Sequence, residues 1–337
     1  MTSSLGVPKK VTEYFDTPKE LEEKIKRMAE LVRKSQHIVY FTGAGMSTSA
    51  GIPDFRGPQG VWTLREKGIK ATRPIVTEIQ PTKGHMAIMK FFETEKMKYL
   101  ISQNTDGLHV RSGIPITAIS ELHGNSNIEK CKNCERSFWR KFKVREAAGV
   151  NEHKTSRKCD YCGTNLEDTI VNFGEGLPER VLQEAYRQSG LSDLHIVLGS
   201  SLTVSPANEL PQITVRNGKP LIIVNLQKTP LDNMATLRIF AKTDDVLMSL
   251  CKELGYDEIR EINDIKKDPS FDQMIIMPNA TRKLDVIKNN KVELMQWPNA
   301  NLSESLKVRG FKLGISVEKQ EVVELILRKC SNTIYWV

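Results

Sequence analysis

Four short apolar runs, each closed by glycine or polar residues, organise this chain as far as Gly255: HIVYFTGAG, KYLISQNTDG, LHIVLGSSL and PLIIVNLQ. Each has the length and composition of a strand. Near-continuous apolar runs of this kind suit a parallel sheet buried on both faces, with polar carboxyl-end loops presented to a ligand. Helical patterns lie between them. From Pro18 to Lys34, the residues Leu21, Ile25, Met28, Leu31 and Val32 fall on one face and charges elsewhere, predicting an amphipathic helix that leads into the core. Glu179 to Gln188 is a second helical stretch. The alternation defines an α/β fold with a Rossmann-like parallel sheet.

Residues 126–166 interrupt this alternation between the second and third runs with a composition of their own, and read as an inserted module. The expected organisation is an N-terminal extension and helix over 1–34, a core over 35–125 and 167–255, the module over 126–166, and a C-terminal extension over 256–337. That extension has near-balanced charge, 13 Lys/Arg against 12 Asp/Glu, and a helix-like EKQEVVELILRK. It carries no chemical motif, internal repeat or low-complexity tract, and its role is open.

A length of 337 residues with 39% hydrophobic content allows one large core with a small satellite. No apolar run approaches the roughly 20 residues of a membrane helix, and the start MTSSLGVPKK lacks a signal-peptide centre, so a soluble, unexported protein with no membrane contact is expected. Four of the six cysteines form two C-x-x-C pairs, which in a reducing compartment indicate metal. Cys131 and Cys134 are separated by 24 residues from Cys159 and Cys162, compatible with four thiolates closing a tetrahedral site. Four protein ligands leave no open position, so one structural zinc ion is expected. A redox dithiol is the alternative, disfavoured because one active pair would not need the second. His153 is then not needed as a ligand, and Cys251 and Cys330 have no partner pattern. The formal net charge is +8, and residues 126–158 hold ten Lys/Arg against four Asp/Glu. That segment reads as a flexible basic arm for phosphates or an acidic protein surface, or as a solubilising surface.

GAGMSTSAG directly follows the first run, so Gly43 and Gly45 would let the backbone approach a pyrophosphate at the N-terminus of a following helix. A tight strand-to-helix turn without ligand is the alternative. The third glycine of the dehydrogenase fingerprint is missing, Thr48 standing in its place. Hydride transfer is therefore disfavoured. GIPDFRGPQGVW places Gly51, Pro53, Gly57, Pro58 and Gly60 around Asp54, Phe55, Arg56 and Trp62, a loop suited to folding over a cofactor.

GAGMSTSAGIPDFRGPQGVW, QNTDGLH, ELHGN, the two C-x-x-C pairs, FGEGLP, GSSL and IVNLQ, in that order, resemble the sirtuin family over roughly residues 31–254. GPQGVW, RSGIP, TAISELHGN, DTIVNFGE and VNLQKTP resemble most the class IV branch containing mammalian sirtuins six and seven, the seventh more closely. The resemblance implies an NAD-dependent protein lysine deacylase, with residues 35–125 and 167–255 as its catalytic domain. In that chemistry the acyl oxygen of a modified lysine attacks the ribose carbon that nicotinamide leaves, yielding nicotinamide, O-acyl-ADP-ribose and the free amine.

The resemblance also distributes roles. His123 is implied as general base, which suits a neutral imidazole near pH 7. Asn104 and Asp106 would position ribose and nicotinamide, with Gln103 beside them. Ala44, Ile52, Asp54 and Phe55 would form the nicotinamide pocket, Arg56 a phosphate or ribose contact, and Trp62 part of a lid. Gly199, Ser200 and Ser201 would approach the cofactor by backbone, while Asn225, Leu226 and Gln227 take the adenosine side in place of an acidic ribose clamp. Thr243 aligns near the adenine. Phe173, Gly174 and Glu175 would pair by backbone with the substrate peptide, a β-augmentation that reads little side-chain identity. The branch implies a nuclear enzyme acting on acyl-lysine proteins, histones first, with nucleosome or RNA contact through the basic module. Protein mono-ADP-ribosylation in the same pocket is one alternative. A chromatin- or RNA-binding scaffold with weak turnover is another, which intact His123, Asn104 and Asp106 oppose.

Overall fold

The computed structural model describes residues 12–70 and 79–260 and the strand Ile275–Ile276. The chain lays down β1 (Ile38–Thr42), β2 (Tyr99–Ser102) and β3 (Ile119–Glu121) and then diverts through β4 (Ile128–Cys131), β5 (Ser137–Trp139), β6 (Lys154–Lys158) and β7 (Asn165–Asp168). It returns for β8 (Leu194–Leu198), β9 (Leu221–Val224) and β10 (Leu237–Ile239). The main sheet is parallel throughout, in the order β10-β9-β8-β1-β2-β3. Three strands therefore propagate one way from the centre and three the other. The order reverses between β1 and β8, where the loops leaving their carboxyl ends part, and open α/β sheets bind ligands at that crevice.

Helices cover both faces: α1 (Pro18–Lys34), α2 (Val61–Glu66), α3 (Lys83–Glu93), α4 (Leu108–Arg111), α5 (Glu179–Leu191), α6 (Leu210–Arg216) and α7 (Thr243–Glu253). Alternate strand residues divide the core. Tyr40, Ile196, Leu198, Ile222 and Val224 pack with α1, α3 and α7 through Met28, Val32, Ile88, Phe91 and Leu250. Their neighbours Phe41, Val197 and Ile223 pack with α5 and α6 through Ala185 and Leu210. α1 starts where its sequence specifies, at a Thr17–Glu20 capping box with Pro18 in the first turn.

The apolar runs predict the inner four strands. The edge strands β3 and β10 escape the pattern because each has only three residues. The cysteine module is a second, antiparallel sheet in which β11 (Ile275–Ile276), from the C-terminal extension, pairs with β5. The segment EKQEVVELILRK and Cys330 lie outside the described residues. Among the described residues no helix is long and apolar enough to cross a membrane.

The expected flexible basic arm is instead built largely into this sheet. Glu129 has a fully buried carboxylate, with Arg140 Nε and Arg157 Nε each at 2.6 Å and Thr155 Oγ1 at 3.2 Å. Arg145 lies 3.2 Å from the buried Asp168, Lys132 lies 2.7 Å from Glu167, and the Arg136 guanidinium stacks on Tyr161 at 4.4 Å. Carboxylates that folding removes from water need cations within reach, so much of the excess charge is committed internally. Lys130, Lys141, Lys143, Lys154 and Lys158 remain exposed.

Candidate active site

The turns that leave β1 and β8 pack backbone to backbone. Gly43 N donates to Leu198 O at 3.0 Å and Gly45 N to Gly199 O at 2.9 Å. A Cβ on Gly43 would stand 2.8 Å from Gly199 O, and one on Gly45 would stand 2.8 Å from Gly199 Cα. Gly199 has φ +62°, and a Cβ there would meet Gly45 C at 2.6 Å. Close approach of two loops thus requires these glycines before any ligand is considered. The expected helix at the end of the glycine loop is not formed. Ala44–Met46 and Thr48–Ala50 are separate 3₁₀ turns, the second stopped by Gly51 at φ +83° and by Pro53, which disfavours helical backbone at Ile52.

Above these turns opens a cleft of about 1460 Å³, larger than the usual site for one small molecule. Every catalytic, cofactor and peptide residue named from the sequence lines it. His123 lies just beyond β3, its Nδ1 at 2.9 Å from Gln103 O. Since a carbonyl only accepts, Nδ1 carries the proton and Nε2 keeps its lone pair. Burial lowers the His123 pKa from its ordinary value, partly offset by the bond to Gln103, so the ring is neutral at pH 7.

Asn104 donates from Nδ2 to Gly43 O at 3.0 Å and to Ser47 Oγ at 3.3 Å, and Ser47 Oγ donates to Asp106 Oδ2 at 2.7 Å. Asp106 also accepts from Leu108 N at 2.9 Å. Burial pushes its carboxyl up, opposed by these bonds and by Arg111. Ser200 Oγ donates to Gln103 Oε1 at 2.6 Å, tying the β8 loop to the same wall. Ser47 joins Asn104 to Asp106 and is not singled out by sequence, because in GAGMSTSAG nothing separates it from Thr48 or Ser49.

The long loop after Gly51 forms an opposite rim. Asp54 Oδ1 accepts from Gly57 N at 2.9 Å, and Arg56 Nη1 reaches Ser201 Oγ at 3.1 Å. The Arg56 guanidinium lies over Trp62 at 4.4 Å, and Trp62 contacts both Phe55 and Phe173, with centroids 5.2 and 5.6 Å apart. Aromatic contacts therefore link the Ile52–Trp62 rim to the Phe173 segment. At the other end Asn225 Nδ2 donates to Gln227 O at 2.9 Å, Arg238 Nη1 reaches Asn225 O at 2.9 Å, and Thr243 Oγ1 reaches Gly45 O at 3.4 Å. Asp244, equally silent in the sequence, accepts from Ser49 Oγ, Thr82 Oγ1 and Gly84 N at 2.6, 2.9 and 2.9 Å, pinning the start of α7 to the glycine loop and to α3.

Glu175 turns its carboxylate into the protein, accepting from Asn151 N at 2.7 Å and Asn172 N at 2.8 Å, with His153 Nε2 at 3.3 Å. Burial would raise its pKa, but these donors outweigh it and bring the group to about 2. The Glu175 side chain is thus committed within the protein. His153 bridges to Asp168, with Nδ1 at 3.2 Å from Oδ1.

Cys131 ends β4, Cys134 lies in the turn that follows, and Cys159 and Cys162 lie in the β6–β7 turn, with all four ligand sulfurs within 4.8 Å of one another. The contacts cross between pairs, Cys131 to Cys162 at 3.3 Å and Cys134 to Cys159 at 3.5 Å. Zn–S bonds of about 2.3 Å make a tetrahedron with edges of roughly 3.8 Å. The four thiols therefore fit one structural zinc ion, and both pairs belong to one centre rather than to separate dithiols.

A parallel doubly wound sheet with its cleft at the strand-order reversal, a partly buried neutral histidine in that cleft and an inserted four-thiolate module define the class of α/β fold. The Sir2 family model matches residues 65–206. NAD-dependent protein deacetylase sirtuin-7 of Mus musculus is 43% identical over 263 residues, which cover 75% of this chain and 65% of that protein. NAD-dependent protein deacetylase Sirt6 of Drosophila melanogaster is 42% identical over 275 residues, covering 78% and 84%. A solved structure described as Sir2-p53 peptide-NAD+ is 36% identical with a TM-score of 0.55, covering 69% of this chain and 99% of that one. The chain belongs to the Sir2 family. It spans less than two thirds of the length of mouse sirtuin-7.

Proposed function

We propose that this chain removes acyl groups from protein lysine at the expense of NAD. The observation that carries the reading is His123, fixed through Nδ1 on Gln103 with Nε2 available to take a proton, on the wall shared by Asn104, Ser47 and Asp106. Bound NAD supplies a ribose carbon with nicotinamide as its leaving group. The balance is acyl-lysine, NAD and water giving lysine, nicotinamide and O-acyl-ADP-ribose. Asn104, Ser47 and Asp106 orient ribose and nicotinamide, and His123 accepts a ribose hydroxyl proton at Nε2. Ala44, Ile52 and Phe55 close the nicotinamide end, and Arg56 and Trp62 exclude water at the rim. Gly199, Ser200 and Ser201 hold the cofactor at the β8 turn, Asn225, Leu226 and Gln227 hold its adenosine side, and Thr243 backs the glycine loop. The backbone from Phe173 to Glu175 takes the extended substrate. The zinc module stays structural.

The deacetylase names of the relatives, and the peptide and NAD+ that name the similar structure, support this reading. We place the substrates among chromatin proteins, histone tails first, and the enzyme in the nucleus, on the class IV resemblance. Exposed lysines of the module support contact with nucleosomal or RNA phosphates. The test is a panel of acyl-lysine histone peptides with the full chain and NAD, with and without nucleic acid, read by mass spectrometry. Nicotinamide and O-acyl-ADP-ribose should appear in equal amounts. Nicotinamide released together with protein-bound ADP-ribose and no acyl product would replace deacylation by mono-ADP-ribosylation, and no nicotinamide at all would refute both.

A further inference from the structure

The residues just ahead of α1 are strapped to the far end of the cleft. Tyr14 N donates to Leu226 O and Asp16 N to Phe240 O, both at 2.8 Å. Phe240 N returns a bond to Asp16 Oδ2 at 2.9 Å, and Lys24 Nζ closes on Asp16 Oδ1 at 2.6 Å. The Tyr14 ring packs on Phe240, centroids 5.4 Å apart, with Lys228 Nζ at 5.2 Å over it. So anchored, the strap sets the half-buried Glu13 into the cleft wall, hydrogen-bonded by the Gln227 side chain and near Lys242 and Asp54. Burial and then Asp54 push the Glu13 carboxyl up, while Gln227 and Lys242 draw it back.

Dinucleotide-binding sheets ordinarily bind ribose hydroxyls with a carboxylate about 20 residues past the glycine turn; the acidic residue near that distance in this chain, Glu66, is exposed at the end of α2 and does not line the cleft. We propose that Glu13 supplies that carboxylate from outside the sheet, accepting hydrogen bonds from the adenosine ribose hydroxyls beside Asn225 and Gln227 and repelling a 2′-phosphate. Glu13 is then a binding residue that selects NAD over NADP. The inference rests on the NAD reading above.

The test compares the full chain with Glu13→Ala and Glu13→Gln by calorimetric titration of ADP-ribose and 2′-phospho-ADP-ribose, alongside melting midpoints and Michaelis constants. Glu13→Ala should weaken ADP-ribose about tenfold, the effect of losing a charge-assisted hydrogen bond at a partly exposed site. Removing only the charge in Glu13→Gln should improve 2′-phospho-ADP-ribose relative to ADP-ribose by about tenfold. KM for NAD should rise while kcat, peptide KM and melting midpoint hold. Unchanged affinities and discrimination in both variants overturn the inference, as does a loss of affinity accompanied by a lower midpoint and a shifted peptide KM, which would assign Glu13 to holding the strap. A parent chain with no affinity for ADP-ribose removes the NAD reading and this inference with it.

Discussion

Arg140→Ala separates the two uses of positive charge in the module. Glu129 has no exposed side-chain surface, while Arg140 and Arg157 are each about a quarter exposed and grip it at 2.6 Å. Stripping a buried carboxylate of its partner costs about 3–5 kcal/mol when nothing replaces it. Here Arg157 and Thr155 stay in place, so the expected loss is about 2 kcal/mol, the scale of one hydrogen bond to a charged group. For a fold of this size that corresponds to a fall in melting midpoint of about 4–8 °C. Calorimetry and urea unfolding of the zinc-loaded chain measure it. Lys130, Lys141 and Lys158, all exposed, changed together to glutamine should leave the midpoint in place while weakening nucleosome binding and flattening its salt dependence. Neutralising Arg140 in the same experiment would confound charge with stability. If Arg140→Ala melts with the parent, the clamp on Glu129 is not a stabilising element and the reasoning is wrong. If the triple lysine variant binds nucleosomes like the parent, these lysines form only a solvated surface.

Three further outcomes follow from the site. His123→Ala should abolish nicotinamide release with circular dichroism unchanged; and because burial holds the folded pKa below the ordinary value of about 6.5, the proton-accepting form persists through neutral pH, so kcat/KM of the parent should fall only below pH 6.5. An acid limb centred above that value would contradict the assignment of His123 as the base. Cys131→Ser should lose its stoichiometric zinc by elemental analysis and unfold at lower denaturant, since metal binding energy at a closed four-thiolate site is folding energy. A zinc-free variant with parental stability would show the centre to be dispensable. His153→Ala should raise KM for an acyl-lysine peptide several-fold while leaving KM for NAD unchanged, because it removes the bridge between Asp168 and Glu175 behind the Phe173 segment; equal shifts in both constants would point to general loosening of the fold.

Elements whose signal is carried by neighbouring residues can be read along the chain without its fold. β1, β2, β8 and β9 are legible because strands buried on both faces are continuously apolar, and α1 because its apolar positions recur at the helical period behind a capping box. The four cysteines were legible from spacing, and the cleft residues from ordered motifs that resemble one family. Features that depend on distant partners emerge only when the chain is folded. Folding set the reversal of strand order between β1 and β8, which places the cleft, and the two edge strands too short for a pattern. It made Gly43 and Gly45 necessary for packing on Gly199, and Ser47 the link between Asn104 and Asp106. It also turned the Glu175 carboxylate inward and drew Arg140 and Arg157 onto Glu129. A count of charges along a chain cannot distinguish a cation facing water from one facing a buried carboxylate, and a residue's neighbours in sequence do not specify which loop will meet it. Those choices are made by topology, which brings Glu13 beside Gln227 across more than two hundred residues of chain.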